Sequence, residues 1–311
     1  MVGGDVLWLV AVLFSGILAG GVVTVTLAVI PALHQFGPED DFRVHRVFNP
    51  LPDYYLPQSL FISIIAVAAV LASRGGPPAT AGVAANAGLV ISAAIILISH
   101  RGTLPVNLVI RRWSGEGLPR GYARLRRRWD MVQRVRTLFC VGLVCCYAVA
   151  AGSAAEADAS ANPLQVANFV LAALMAGGLL IVQVAIVPSI HRLPTTDGAR
   201  LHVFVDSYID YSLPAFTLLT AATGAGFLAG NDGLSGGDQR LVMIGVAATL
   251  MVAAISHYRN RRLNLRLRSW QLELPPTAYR ALRRSWDRWH VVRTAFGLLA
   301  LVCFAVVLVG G

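Results

Sequence analysis

The chain contains no lysine, and only 14% of its 311 residues are charged. All 26 basic residues are therefore arginines, and because only 16 residues are acidic the formal net charge is +10. Four cysteines occur and none forms a CxxC pair, so the sequence gives no basis for a disulfide framework or a zinc site. HExxH and HxH are also absent, and no motif therefore commits the chain to a metal.

Most of the chain consists of hydrophobic residues, many of them in long uninterrupted runs. The chain is 56% hydrophobic, with a mean hydropathy of +0.64, which is too apolar for a soluble protein of this length. A helix that crosses a bilayer needs about 20 apolar residues. Runs of this kind are Val6–Ile30, Tyr55–Ser73, Ala81–His100, Met131–Gly152, Leu164–Pro188, Tyr211–Gly230, Leu241–His257 and Val291–Val309. We therefore expect an all-α, polytopic membrane protein with eight transmembrane helices.

The arginines predict how the chain is oriented. They concentrate in two segments, 101–128 and 259–288, whereas the stretch 154–163 has no basic residue. A basic patch can bind nucleic acid, but in a membrane protein positive loops stay in the cytoplasm. We therefore expect no nucleic acid partner, cytoplasmic arginine-rich loops, and both termini outside the plasma membrane.

The sequence repeats itself at an offset of 157 positions. Twelve residues from Arg126, RRRWDMVQRVRT, return from Arg283 as RRSWDRWHVVRT. Other aligned pairs are His45 and His202, Asp53 and Asp210, His100 and His257, and Asn107 and Asn264. An unbroken offset of this length predicts a tandem duplication. The expected units are a first repeat at 1–152, an external linker at 153–163 and a second repeat at 164–311.

Each predicted repeat has four spans, an even number, so both insert with the same orientation. We therefore expect two parallel four-helix repeats related by an axis along the membrane normal, a symmetry known from transporters. We also expect the two repeats to pair with each other inside the lipid bilayer.

Polar residues gather at the predicted cytoplasmic ends of the spans. Ionisable side chains at membrane depth are costly and usually functional, and histidine is a common general base and metal ligand. His45, His202, Asp53 and Asp210 are the candidates for a metal site of iron or copper, assembled from several helices. The cofactor is therefore left open between none and such a metal.

Helical spacing selects the candidate catalytic and substrate-binding residues. The stripes Trp129, Gln133, Arg136 and Trp286, His290, Arg293 each follow i, i+4, i+7 spacing, and His100 and Asn107, like His257 and Asn264, are seven apart. The candidates are His290, His257, His100, Arg293, Arg136, Asn264 and Asn107 for catalysis, and Trp286, Trp129, Tyr54 and Tyr211 for substrate. For the aromatic residues, interfacial anchoring is the alternative.

Three features give each unit a recognisable outline. They are a glycine-rich first span (Gly16–Pro31), a third span that ends in LPVN (Leu104–Asn107), and a W-x3-[polar]-x2-R stripe at the head of the fourth. This outline resembles the four-helix membrane family that includes the anthrone oxygenases of aromatic polyketide pathways, in secondary metabolism. The resemblance implies an integral membrane protein that uses O₂ to oxidise an anthrone-like carbon to a quinone.

The sequence departs from this family pattern in three ways. It is a fused pair, Arg262 replaces the proline that precedes Asn107 in the first unit, and the polar stripe position holds His290 in one unit but Gln133 in the other. Because only the second unit keeps a titratable group there, we expect acid–base chemistry in the second half.

The resulting hypothesis is a membrane oxygenase or oxidoreductase that acts on a lipophilic aromatic or polyketide-like small molecule at the cytoplasmic face. In it, a histidine removes an acidic proton, and an arginine and an asparagine stabilise the anion, which reacts with O₂ directly or through a metal. The alternatives are a non-catalytic membrane subunit that binds haem, lipid or a partner protein, and a small-solute transporter.

Overall fold

A computed structural model of the chain describes residues 2–73, 76–114, 117–154, 161–270 and 276–310. Within those ranges the structure is helical and contains no strand. The helices are α1 (Val2–Thr24), α2 (Ile30–Leu33), α3 (Pro38–Phe48), α4 (Pro50–Leu71), α5 (Ala79–Ile98), α6 (Leu104–Arg112), α7 (Tyr122–Gly152), α8 (Pro163–Ile181), α9 (Val187–Arg192), α10 (Thr195–Ala229), α11 (Gly236–Ile255), α12 (Arg261–Ser269) and α13 (Pro276–Gly310).

The predicted all-α membrane architecture is confirmed. The described part of the chain contains eight continuous helical segments that are long and apolar enough to cross a membrane. They are Gly4–Leu33, Pro50–Leu71, Ala79–Arg112, Tyr122–Gly152, Pro163–Arg192, Thr195–Ala229, Gly236–Ser269 and Ala278–Gly310. Most extend beyond the hydrophobic runs, because a helix continues past the point where its sequence becomes polar.

Four of the eight segments contain a short π-helical turn. The turns lie at Val25–Val29, Ser99–Thr103, Val182–Ile186 and Ser256–Asn260. The third lies 157 positions after the first, and the fourth 157 positions after the second. Such turns are rare and frequently occur at functional sites. Their return at the sequence offset supports the proposed duplication, which itself stays a prediction.

The first span of each half lies at the centre of the molecule. In α1, an added Cβ at Gly20 would lie 2.6 Å from the Ala173 carbonyl oxygen of α8, and one at Gly177 would lie 2.7 Å from the Ile17 carbonyl oxygen. Small residues are therefore required where these two helices cross, as in other membrane helix pairs. Helices α4 and α7 pack on α1, whereas α10 and α13 pack on α8.

Polar contacts between the halves are reciprocal. Arg43 contacts Asp197 at 3.2 Å, and Arg200 contacts Asp40 at 3.0 Å. The offset of 157 relates Arg43 to Arg200 and Asp40 to Asp197, so each half contributes the same two residues. This is the pattern of a two-fold interface, and it supports the proposed pairing of the repeats.

The predicted linker 153–163 is only partly described, because 155–160 lie outside the described residues. Its last residue, Pro163, already belongs to α8, and the Asn162 side chain caps that helix by accepting from the Leu164 N–H at 2.9 Å. Helix α8 therefore begins one residue before the expected start of the second repeat at 164, and the division into units stays a prediction.

Candidate functional site

The candidate site is a cavity of about 350 Å³ in the first half, between α1, α4, α5, α6 and α7. Most of its wall is apolar and includes Leu18, Leu56, Leu60, Phe61 and Ile95. Polar side chains gather at one end of it. The polar lining residues are Asp53, Ser99, His100, Thr103, Asn107, Arg111 and Arg136. An apolar cavity with a few convergent polar groups is the usual form of a small-molecule site.

Asp53 organises the polar end of this cavity. Its Oδ2 accepts from Asn107 Nδ2 at 2.7 Å and from Arg111 Nη2 at 2.5 Å. Asp53 lies in the first turn of α4, where a helix favours negative charge, and Arg111 lies in the last turn of α6, where it favours positive charge. The two helix ends therefore place a carboxylate beside a guanidinium. Because Asn107 donates to the same carboxylate oxygen, the ion pair also holds the Asn107 amide in one orientation.

The π turn Ser99–Thr103 connects α5 to α6 beside the cavity. It brings Ser99, His100 and Thr103 to the cavity wall, and Asn107 follows from α6. The sequence spacing predicted that His100 and Asn107 share one face of a regular helix. They do share the cavity, but His100 is exposed and Asn107 is buried, because the wider turn shifts the register between them.

Arg136 supplies a buried positive charge. Its side chain is 8% exposed and lines the cavity, yet it donates no hydrogen bond to any residue that the structure describes. Within the same ranges, Arg136 Nε, Asn107 Oδ1 and Thr103 Oγ1 are buried without a partner. Buried polar groups are normally satisfied, and a cluster that is not satisfied by the chain is suited to a polar ligand.

Trp129 and His45 pack behind the polar end. Their ring centroids are 4.5 Å apart, and neither His45 nitrogen has a partner among the described residues. Burial lowers the pKa of His45 well below its usual value of 6.5, and the nearby Arg126 charge lowers it further. His45 is therefore neutral at physiological pH and packs as an aromatic side chain.

The equivalent region of the second half is closed. Asn264 donates to Asp210 at 3.3 Å, Arg268 donates to Asp210 at 2.8 Å, and Trp286 Nε1 donates to Asn264 at 3.0 Å. The cavities nearby have volumes of only about 20 and 10 Å³. The same residue types are therefore present, but here the tryptophan also binds the asparagine, whereas Trp129 Nε1 and Asn107 Oδ1 have no partner among the described residues.

His290 is the centre of this closed arrangement. It is fully buried and stacks on Trp286 with ring centroids 4.9 Å apart. Its Nε2 lies 3.2 Å from the Leu179 carbonyl oxygen, and Arg293 Nη2 lies 2.8 Å from its Nδ1. A carbonyl oxygen can only accept, so Nε2 carries the hydrogen and Nδ1 accepts from Arg293. Both nitrogens are therefore occupied, and this geometry favours positioning of Arg293 over proton abstraction.

Several predicted site residues lie outside both regions. Tyr54 and Tyr211 have exposures of 61% and 83%, and His257 is exposed beside Tyr258, with ring centroids 5.0 Å apart. None of these three residues lines the 350 Å³ cavity. Their side chains point away from the helix bundle, a placement that agrees with the interfacial alternative for the two tyrosines.

The four candidate metal ligands do not converge. His45 packs on Trp129 and His202 on Trp286, while Asp53 and Asp210 are bound by the asparagine and arginine of their own half. Across the described ranges, no group of three or more His, Cys, Asp or Glu residues could hold a metal ion. The sequence-based candidate site required these residues to converge from different helices, and the packing does not bring them together.

Sequence reasoning missed Arg111 and Arg268 as site residues. Each lies four positions after the predicted Asn107 or Asn264, and the offset of 157 relates the two. That spacing places an arginine on the same face of the helix as the asparagine. The signal was therefore present, but the many arginines around it obscured it.

The fold and the site define a class: a polytopic helical membrane protein with a polar-ended cavity between its helices. Residues 204–303 match the family model of anthrone oxygenase. The predicted resemblance is thus confirmed for the C-terminal part of the chain. The matched segment contains Asp210, Asn264, Arg268 and Arg293, the counterparts of the residues at the polar end of the first-half cavity. No curated protein and no solved structure matches the chain at a significant level.

Proposed function

We propose that this protein is a membrane oxygenase that oxidises a lipophilic aromatic molecule, with an anthrone-to-quinone reaction as the specific case. The observation that carries the proposal is the first-half cavity, where apolar walls end at Arg136, Asn107 and Asp53. An aromatic ketone or phenol matches that arrangement, because its rings suit the walls and its oxygen suits the polar end. The family match over 204–303 supports the reaction type.

The edge of the cavity supports a substrate that arrives from the bilayer. Phe61, Ile96 and Leu104 line the cavity and are also 52%, 39% and 38% exposed. They come from α4, α5 and α6, whose outer surfaces are the side of the bundle that faces lipid. A lipophilic molecule can therefore move sideways between these helices without crossing a polar surface. Arginines surround the polar end, and the positive-inside rule therefore supports the proposal that this end lies at the cytoplasmic face of the plasma membrane.

The proposed chemistry uses two roles that the cavity residues can fill. His100 takes a proton from the acidic CH₂ of the substrate, and Arg136 and Asn107 hold the oxygen on which the negative charge develops. The carbanion then reacts with O₂. One oxygen atom becomes the new carbonyl, and the other leaves as water with the two hydrogens of the former CH₂. The substrate is oxidised, O₂ is reduced, and no external reductant is required.

The test of the charge-stabilising role compares equivalent arginines. The purified protein is given an anthrone, and O₂ uptake is measured for Arg136→Gln and for the matched variant Arg293→Gln. Removal of one oxyanion donor costs about a hundredfold or more in rate, so we expect that loss for Arg136→Gln. Arg293 lies in the closed half, and its replacement should affect the unfolding temperature more than the rate.

The test of the base compares equivalent histidines. His100→Ala removes the proposed base and should lower O₂ uptake about a hundredfold, whereas His257→Ala should leave uptake within about twofold, because His257 lies outside the cavity. Equal effects of the two variants, or full activity of His100→Ala, would contradict the assignment. Tight binding of an anthrone without any O₂ uptake would favour the alternative of a non-catalytic binding subunit.

A further inference from the structure

A second large cavity lies in the second half, apart from the candidate site. Its volume is about 560 Å³, and it is formed by the end of α9, the beginning of α10 and the first turns of α13. Its polar lining residues are His191, Thr195, Tyr279, Arg280, Arg283 and Arg284. Nothing in the proposed oxygenase reaction uses this cavity.

Two of the lining residues are buried hydrogen-bond donors. Tyr279 is 5% exposed and Arg283 is 4% exposed. Arg283 Nη1 donates to the Tyr279 hydroxyl at 3.3 Å, so this oxygen already accepts and its own hydrogen remains to be donated. No residue in the described ranges accepts it. A buried hydroxyl of this kind calls for an acceptor.

In the first half, the corresponding acceptor is a carboxylate. There the equivalent residues, Tyr122 and Arg126, both donate to the Asp41 carboxylate, at 3.0 Å and 3.1 Å. The offset of 157 places Gly198 where the first half has Asp41. An added Cβ at Gly198 would lie 2.7 Å from the Ile190 carbonyl oxygen. The packing therefore leaves no room for a side chain at this position that could replace the missing carboxylate.

Two positions that line the cavity also differ between the halves. Arg280 stands where the first half has Ala123, and Thr195 stands where it has Pro38, so the cavity wall gains a cation and a hydroxyl there. Outside the lining residues, Ala281 and Ser285 replace Arg124 and Arg128. Asp287 accepts from Arg283 at 3.2 Å and contacts His191 at 3.1 Å. Among the described residues at the cavity, this one carboxylate faces three arginines, and the positive charge is in excess.

We propose that this cavity binds the phosphate group of an anionic ligand, which accepts from the Tyr279 hydroxyl and from Arg284. The charge of Arg283 lies beside it, while the three nitrogens of Arg283 donate to Asp287, Tyr279 and the Val187 carbonyl oxygen. Arginine forks and a tyrosine hydroxyl match the several acceptor oxygens of a phosphate. The group comes either from an anionic lipid headgroup or from a soluble phosphate. Both sources offer the same chemistry to the cavity, and the experiment distinguishes them.

The test uses the full-length protein in nanodiscs of zwitterionic phosphatidylcholine. One arm titrates inorganic phosphate, and the other replaces part of the lipid by phosphatidic acid; binding is measured as the increase in unfolding temperature. Tyr279→Phe removes only the hydroxyl, and Arg284→Gln removes only an exposed charge, so both variants should fold. Each should weaken binding about tenfold, the usual effect of losing one charge-assisted hydrogen bond.

The matched control is Arg127→Gln, the first-half counterpart of Arg284, which should bind as the parent does because Asp41 already occupies that half. Stabilisation by inorganic phosphate would identify a soluble ligand, and stabilisation by phosphatidic acid alone would identify a headgroup. Either result supports the proposal if Tyr279→Phe and Arg284→Gln reduce the increase in unfolding temperature. No stabilisation in either arm, or equal stabilisation of the parent and both variants, would overturn it.

Discussion

Arg136 and Arg293 are equivalent arginines with different partners. Arg293 donates to His290 at 2.8 Å and to Ser256 at 3.2 Å, whereas Arg136 donates to no described residue and faces the cavity. The neighbouring stripe position accounts for one of these contacts, since it holds His290 in the second half and Gln133 in the first. The second half also has Asp206, whose charge acts on Arg293, where the first half has Asn49.

The role of His290 gives a prediction at this scale. His290→Gln installs the residue that the first half carries, and it removes the fixed contacts with Leu179 and Arg293. We expect a loss of about 1–3 kcal/mol in the free energy of unfolding, because a buried partner is left unsatisfied. O₂ uptake with an anthrone should change little, since His290 is enclosed and both of its nitrogens are occupied.

The measurement pairs thermal unfolding in detergent with the uptake assay, and His257→Gln is the control because His257 is exposed and its side chain hydrogen-bonds to no described residue. A large fall in O₂ uptake with unchanged stability would restore the sequence-based prediction that the second half carries the acid–base chemistry.

The residue types of the site could be predicted from the sequence, but whether each residue lines the cavity or lies on the outer surface could not. Helical spacing selected Arg136, Asn107 and His100, and these three line the cavity. It also selected His257, and the repeat alignment selected Tyr211; the structure places both on the outer surface. Spacing shows which residues lie on the same face of a helix. Whether that face contacts a cavity, another helix or lipid depends on how the helices pack.

At the scale of single elements, the π turns determine which residues face the cavity. A π turn accommodates one extra residue within a helix, and each residue of an α-helix rotates the chain by about 100°. The turn Ser99–Thr103 therefore sets the orientation of α6, including Asn107 and Arg111, relative to α5. Pro105 follows this turn, but Arg262 follows the equivalent turn Ser256–Asn260, so proline is not required to form it.

Deletion of Arg101 tests this role. The shortened segment should continue as a regular α-helix, and the residues that follow should rotate by about 100°. Asn107 and Arg111 would then leave Asp53, and we expect the loss of anthrone binding and of O₂ uptake. Deletion of Tyr258, the equivalent residue, is the control and should affect only the closed half.

Circular dichroism would show that both deletion variants remain helical, and substrate binding would be measured by quenching of tryptophan fluorescence. Unchanged binding after deletion of Arg101 would show that the π turn does not orient the site.

At the scale of the whole molecule, the crossing of α1 and α8 connects the two halves. Gly20 of α1 lies against the Ala173 and Leu174 carbonyl oxygens of α8. A Cβ atom added at Gly20 would lie only 2.6 Å and 2.7 Å from these two oxygens. Ion pairs at the periphery, such as Arg43 with Asp197, are half exposed on one side and contribute little. The close approach of the two central helices therefore carries most of the contact between halves.

Gly20→Ala should separate these helices. Because the added methyl meets backbone atoms that cannot rotate away, we expect a loss of about 1–3 kcal/mol, measured as a lower unfolding temperature in detergent. Gly82→Ala is the matched control, since its nearest neighbour would be a Pro77 side-chain atom at 3.8 Å, and alanine is the better helix former. An equal change in unfolding temperature for the two variants would contradict the claim that the close packing of α1 and α8 carries most of the contact between the halves.

The sequence by itself determined the eight membrane helices, the repeating pattern of polar residues and the resemblance to the anthrone oxygenase family. These properties are local: about 20 apolar residues form a membrane helix whatever surrounds them, and a motif is a matter of order along the chain. The hydrophobic runs and the offset of 157 are therefore evident from the order of the residues alone.

Only the tertiary structure decided which half has an open cavity, which arginine faces it and where a second, arginine-lined cavity lies. Each of these depends on atoms that are far apart in sequence, such as His290 and the Leu179 carbonyl oxygen at 3.2 Å. Both halves carry nearly the same polar residues, and the few substitutions between them do not by themselves show where a cavity lies. The difference arises from packing between helices, because interiors are close-packed and a cavity remains only where side chains from several helices do not fill the space.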